Sequence, residues 1–160
     1  MVFPPNNGMR SSTDESKAGF IYGTASGVGL FFRFATATNK LEILGPDFLG
    51  GDYTTVTVLS PDEKFVYYLP GAHGGALETG VPIVQYNIET GQRKVLAFLG
   101  AGIDKATGYA AGGTYGVKIS ADGSTLYANF NGQPHTQIKG HAKAFGLTTF
   151  AAIHIPASER

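Results

Sequence analysis

The sequence predicts an all-β fold built from a repeated four-stranded antiparallel unit. Three observations predict it. Glycine supplies 23 of 160 residues, roughly double its usual ~7%, and because glycine weakens strand and helix interiors a chain so rich in it turns often. One strand–turn–strand pattern occurs twice at an offset of 60. A second hairpin pattern occurs twice at an offset of 52.

The first pattern is Val56-Thr57-Val58-Leu59-Ser60-Pro61-Asp62-Glu63-Lys64-Phe65-Val66-Tyr67-Tyr68. Its second copy is Val117-Lys118-Ile119-Ser120-Ala121-Asp122-Gly123-Ser124-Thr125-Leu126-Tyr127-Ala128. Ser60 and Asp62 fall on Ser120 and Asp122, and Tyr67 falls on Tyr127. Ser and Asp side chains bond to nearby backbone, so a Ser-x-Asp step favours a turn over a strand. A weaker copy reads Ser12-Thr13-Asp14-Glu15-Ser16-Lys17, followed by Phe20-Ile21-Tyr22-Gly23.

The second pattern is Leu30-Phe31-Phe32-Arg33-Phe34, then Ala37-Thr38-Asn39-Lys40, then Leu41-Glu42-Ile43-Leu44-Gly45. It recurs as Pro82-Ile83-Val84-Gln85-Tyr86-Asn87-Ile88, Glu89-Thr90-Gly91-Gln92, and Lys94-Val95-Leu96-Ala97-Phe98-Leu99-Gly100. Asn39 and Gly91 stand where a hairpin turn asks for positive φ.

Joined, the patterns give strands a, b, c and d with tight a–b and c–d turns and longer b–c and d–a loops. Four antiparallel strands at a period of 40–60 residues are the signature of a β-propeller blade. Blade one spans about 6–45, blade two about 53–100, and blade three begins near 114 and runs to 160. Blade three has strands a (114–119), b (125–130) and c (148–155) and no room for a full d. A β-sandwich also alternates short strands and turns, but the doubly matched turns favour blades. The Phe31-Phe32-Arg33-Phe34 run is expected to pack between blades with Arg33 outward, and His154, alternating with Ile153 and Ile155, to be half-buried.

Leu59 to Tyr67 and Ile119 to Tyr127 resemble the S-x-D-G-x-x-L/V-Y hairpins of bacterial TolB-like and YVTN-type propeller repeats. Tyr86-Asn87-Ile88-Glu89-Thr90-Gly91-Gln92 resembles the Y-D-x-x-T-G-x turn of the same repeats, with Asn87 where Asp is usual. The resemblance covers most of 18–155 and implies the fold. It implies no single activity, because such repeats serve in partner-binding proteins, lyases, lactonases and peptidase-associated domains. By resemblance an extracytoplasmic location is implied.

Propellers have 4–8 blades, and three leave sheet edges uncovered. The chain is therefore expected either to be the C-terminal portion of a longer propeller or to be completed by blades from a second chain, as a homodimer or with a heteromeric partner. In a homodimer, the N-terminal stretch of one chain could supply the strand missing from blade three of the other. A fragment with no complete site is the third alternative.

Composition limits the partners. Twelve basic residues balance twelve acidic ones, which gives no electrostatic footprint for nucleic acid and no basic amphipathic stretch for a membrane surface. No apolar run reaches the ~18 residues of a membrane span. The absence of cysteine removes thiolate and disulfide chemistry. Met1 to Ser12 has no apolar core of a signal peptide, and Val2-Phe3 reads either as a strand remnant or as a loose end. Gly27-Val28-Gly29 and Gly100-Ala101-Gly102 are not completed to a dinucleotide fingerprint.

Blade geometry puts the b–c and d–a loops on one face. These are the long ones, 45–52, 70–81, 100–113 and 131–146. Long loops on a rigid scaffold are where binding resides, although neutral insertion also lengthens loops at small cost. The candidate ligand-binding residues on this face are His73, Glu78, Asp104, Tyr109, His135 and His141. His73 follows Ser60 by 13 residues and His135 follows Ser120 by 15, so the two occupy comparable places in neighbouring blades. No cofactor is called for by any motif; the one group these residues would suit is a divalent metal on His73, His135 and His141 beside a carboxylate. Two functions follow. The first is a ligand- or protein-binding propeller module within a larger or self-assembled ring. The second is a propeller enzyme, a metal-assisted hydrolase or lyase working on the loop-rich face.

Overall fold

A computed structural model describes residues 7–27, 29–48, 54–138 and 146–160. Three antiparallel sheets follow one another along the chain. Blade one holds β1 (Met9–Ser12), β2 (Phe20–Ala25), β3 (Leu30–Ala35) and β4 (Lys40–Pro46) in that order. Blade two holds β5 (Thr54–Leu59), β6 (Phe65–Pro70), β7 (Pro82–Asn87) and β8 (Arg93–Phe98). Blade three is three-stranded, with β9 (Tyr109–Ile119), β10 (Thr125–Pro134) and β11 (Leu147–His154). β1, β5 and β9 are the first strands of their blades and neighbour one another through β5. Met9–Ser12 is thus the inner strand of its own blade.

The a–b turns are built alike. Ser60 donates its hydroxyl to Asp62 Oδ1 at 2.7 Å and accepts the Phe65 N–H at 3.0 Å. Ser120 repeats this with Asp122 at 2.6 Å and Thr125 at 2.9 Å. In blade one it is Ser16, not Ser12, that accepts the first N–H of the next strand, from Phe20 at 3.1 Å. The expected copy is therefore displaced by four residues. The blade-one turn is one residue shorter and has no Asp, and its left-handed residue is Gly19 (φ 76), in the place of Glu63 (φ 60) and Gly123 (φ 73). Asn39 (φ 53) and Gly91 (φ 70) turn the c–d hairpins left-handed as expected.

Alternation of side chains along each strand puts successive residues on opposite faces of the sheet, and blade two uses both. Val66, Tyr68, Val84 and Tyr86 pack on Tyr22 and Phe31 of blade one. Tyr67, Leu69 and Ile83 pack on Val117, Leu126, Ala128, Phe130 and Ile155 of blade three. Phe31 is fully buried, its ring 5.3 Å from Tyr68 and 4.9 Å from Tyr86, while Arg33 turns outward to Glu42 at 2.5 Å. Each buried aromatic of this kind contributes on the order of 2–3 kcal/mol. Side-chain hydroxyls also bridge the blades: Thr24 donates to the Thr54 carbonyl at 2.7 Å and Thr55 to the Thr114 carbonyl at 2.5 Å.

The segment after β11 folds back over blade two. The Glu159 carbonyl accepts from Tyr67 Oη at 3.0 Å and from Gln85 Nε2 at 2.7 Å, and the Glu159 carboxylate pairs with Lys94. His154 is exposed rather than half-buried, because β11 ends its sheet and only the face carrying Ile153 meets blade two.

Two expected loops hold helices. α1 (Gly75–Thr79) lies in the b–c loop of blade two, and α2 (Gly100–Thr107) connects β8 to β9. Strands a and b of blade three are also longer than expected, beginning at Tyr109 and ending at Pro134. They pair to those ends, with Pro134 opposite Tyr109.

Candidate functional site

The helices and the extended β9–β10 hairpin meet on the loop-rich face. The end of α1 and the start of α2 are tied by backbone, with the Gly100 N–H donating to the Gly80 carbonyl and the Leu99 N–H to the Val81 carbonyl, both at 3.0 Å. A Cβ on Gly100 would stand 3.1 Å from the Gly80 oxygen, so a side chain there would press the two segments apart. α2 ends at Gly108, whose carbonyl accepts the His135 N–H at 2.7 Å. That bond sets the short 3₁₀ turn His135–Gln137 beside α2.

The result is a pair between Asp104 and His135, with Oδ2 and Nδ1 at 2.9 Å. The His side chain is 62% exposed and the Asp side chain 36%. A surface pair this open contributes little to stability, ~0–1 kcal/mol. Both residues line a cavity of about 190 Å³ floored by small side chains, among them Ala76, Gly80, Ala110 and Ala111. Val81 lines it too and holds φ 58 while fully buried. A β-branched residue in the left-handed region is strained by ~1–3 kcal/mol, and such strain gathers at functional sites.

Tyr109 stands next to this cavity at the base of β9. Its hydroxyl donates to the Leu147 carbonyl at 2.8 Å, and partial burial raises its pKa. Gly132 makes room for it: a Cβ there would meet the Ala110 oxygen at 2.1 Å and the Tyr109 ring at 2.8 Å.

Of the candidates named from sequence, the structure thus brings together Asp104 and His135, with Tyr109 nearby. His73 is exposed in a left-handed conformation (φ 50), its ring edge-on to Tyr115 at 6.1 Å. Glu78 is exposed on α1. His141 lies outside the described residues. Among the described residues no group of three or more His, Cys, Asp or Glu side chains is arranged around a metal position.

Sequence reasoning missed Val81 and the glycine and alanine floor, which bear no chemical signal. It also passed over the burial of Asp47, which is 3% exposed between blades one and two. Its carboxylate accepts the Phe48 N–H at 2.7 Å and the Thr54 N–H at 3.0 Å, and its carbonyl accepts from Tyr68 Oη at 2.8 Å. Burial raises its pKa, against the lowering effect of those N–H donors.

No family model and no curated protein matches the chain. Solved structures do match it. One is the nidogen–laminin complex, at 12% identity and a TM-score of 0.56, covering 79% of this chain and 41% of that one. TolB from Acinetobacter baumannii matches at 19% identity and 0.52, covering 79% and 30%. The GH74 xyloglucanase from Xanthomonas campestris matches at 11% identity and 0.54, covering 81% and 21%. The chain spans less than half of each. All three are β-propeller proteins, and at such identities the likeness is one of fold. Sheets, turns and likeness agree that this chain folds as about three consecutive blades of a β-propeller.

Proposed function

We propose that the chain is a binding module of a larger ring, with its recognition point on the loop-rich face at the Asp104–His135 pair. The observation that supports this most is the pair itself, open to solvent at the mouth of a cavity with a strained backbone at Val81. A cavity of this size lined by alanine and glycine takes a small apolar group, and the pair offers an acceptor and a donor at its rim. The occupant that fits is a side chain or small organic ligand with an apolar end and a polar handle.

The test is two-dimensional NMR of the chain against a panel of short peptides and small organic ligands. Shifts clustered at Gly80, Gly100, Ala110 and His135, lost in both Asp104→Ala and His135→Ala, are the expected result. Binding that ignores both substitutions would sink the reading.

The same pair favours a second reading. A carboxylate on Nδ1 orients an imidazole and leaves Nε2 to take up a proton, the arrangement of an acid–base His. The metal-assisted version adds His73 and His141. Metal content of the purified protein, and its loss in alanine variants of His73, His135 and His141, separates this reading from the first.

A further inference from the structure

Three side chains form a row across blade two. Register places Tyr67 of β6 opposite Gln85 of β7, and Gln85 opposite Lys94 of β8. Residues opposite one another share a face of the sheet. In blade one the same row is Tyr22, Arg33 and Glu42. That row closes on itself, because Arg33 donates to Glu42. The blade-two row presents donors instead: the Tyr67 hydroxyl, the Gln85 amide nitrogen and the Lys94 ammonium. All three meet one residue, Glu159. Its carbonyl accepts from Tyr67 and Gln85, and its carboxylate pairs with Lys94.

Tyr67 and Gln85 are 0% and 3% exposed. A buried donor left without an acceptor is costly, so the row demands a carbonyl at this point. The segment that supplies it is held lightly. Ile155 is buried, and its N–H donates to the Ser124 carbonyl at 2.8 Å. Beyond it Pro156, Ala157, Ser158 and Arg160 are exposed. Among the described residues, Glu159 is the one member of 156–160 that bonds to blade two.

The segment crosses a groove between blades two and three and leaves it partly empty. Cavities of about 200, 420 and 370 Å³ border it, each lined in part by residues 156–160. The Ser60–Asp62 and Ala121–Gly123 turns line the second of these, which puts the groove on the face of the tight turns, away from the Asp104–His135 pair. Its charge is graded. Arg93 and Lys94 line one end, and Asp62 and Asp122 the other. Glu159 lies at the basic end and Arg160 at the acidic end, so the segment matches the groove charge for charge.

We propose that this groove is a peptide-binding site, that residues 156–160 occupy it as a strap, and that a partner segment carrying an acidic residue followed by a basic one displaces them. Such a segment brings the carbonyl that the row demands and the two charges in order. It also has room to fill the cavities that the strap leaves. A ligand shifts an equilibrium by its differential affinity for the two states, and those cavities are where an incoming segment gains over the strap. The strap meets the row within one chain, at a high effective concentration, so it keeps the site closed until the partner is present. The site goes beyond the loop-face reading and does not rest on it.

The probe is the end-blocked peptide Pro-Ala-Ser-Glu-Arg, which copies residues 156–160. It is titrated into the isotope-labelled full chain and followed by NMR at the Gln85 side-chain amide and the Lys94 backbone amide. Glu159→Lys sets two positive charges together and is expected to open the strap, so that the peptide binds about tenfold more tightly than to the unaltered chain. Adding Lys94→Glu to that variant rebuilds an ion pair within the chain and is expected to lower the affinity again. Circular dichroism checks the fold, and Glu159→Ala serves if the charge reversal unfolds the chain. Absence of peptide shifts at Gln85 in both Glu159 variants overturns the proposal. Equal affinity in the unaltered chain and the variants overturns it too, since no strap then competes. So does equal binding of a peptide with Lys in place of Glu. The Asp104 and His135 amides are expected to stay unmoved throughout, so failure of the groove and failure of the loop-face site are read separately.

Discussion

The Ser120 hydroxyl donates to Asp122 Oδ1 at 2.6 Å. Two further bonds, from the Ser124 N–H at 3.0 Å and the Ser124 hydroxyl at 2.9 Å, converge on that one oxygen. These donors pull the carboxyl down to about 2. A carboxylate held below its unfolded value stabilises the fold above that value and loses the contribution as pH falls through the folded one. The chain is expected to lose stability between about pH 4 and pH 2 through this group, with the loss reduced in Asp122→Asn. Denaturant midpoints measured across that range in both proteins check it.

Asp47 has the opposite sign. Burial raises its pKa, so the folded state holds the proton more tightly than the unfolded chain. Stability is then expected to decline as pH rises from about 4 through the raised value. Asp47→Asn removes this decline. Unfolding followed between pH 4 and 8 in the two proteins gives the difference, and equal slopes would count against the buried carboxylate.

Ser16, and not Ser12, holds the a–b turn of blade one. Ser16→Ala is expected to cost about 1 kcal/mol, as does Ser60→Ala, since each removes the acceptor of a strand's first N–H. Ser12→Ala is expected to stay within ~0.5 kcal/mol. Chemical denaturation of the three variants decides between the two serines.

Val81 and Val66 are both fully buried valines, at 1% and 0% exposure, but only Val81 has positive φ. Glycine adopts that conformation without strain. Val81→Gly is therefore expected to cost about 1–2 kcal/mol less than Val66→Gly. Equal losses on denaturation would remove the strain assigned to the cavity wall.

What the sequence reveals of this molecule is what local chemistry encodes. The Ser-x-Asp turns and the left-handed Asn39 and Gly91 carry their geometry in the residue type itself, so between them they mark all three blades in the sequence. Ser16 escapes because its turn lacks the Asp and is one residue shorter. α2 escapes because Gly100 and Gly102 depress its helix propensity, and α1, with five residues, is too short to show a period. The site is less legible still. His135 and Asp104 can be named from sequence as polar residues of two loops, but their pairing depends on the Gly108–His135 backbone bond, a contact between distant segments that no local pattern announces.

Tyr67 and Tyr68 stand back to back in β6, one in each of the two hydrophobic clusters. That arrangement makes blade two the shared link of a three-link row, in which stability is the sum of each link and its nearest junctions. Opening β2 breaks one junction, and so does opening β10. Opening β6 breaks both at once. Amide exchange should consequently run inward, with the outer sheets giving up their protons first and the β6 amides releasing theirs only when the whole row comes apart.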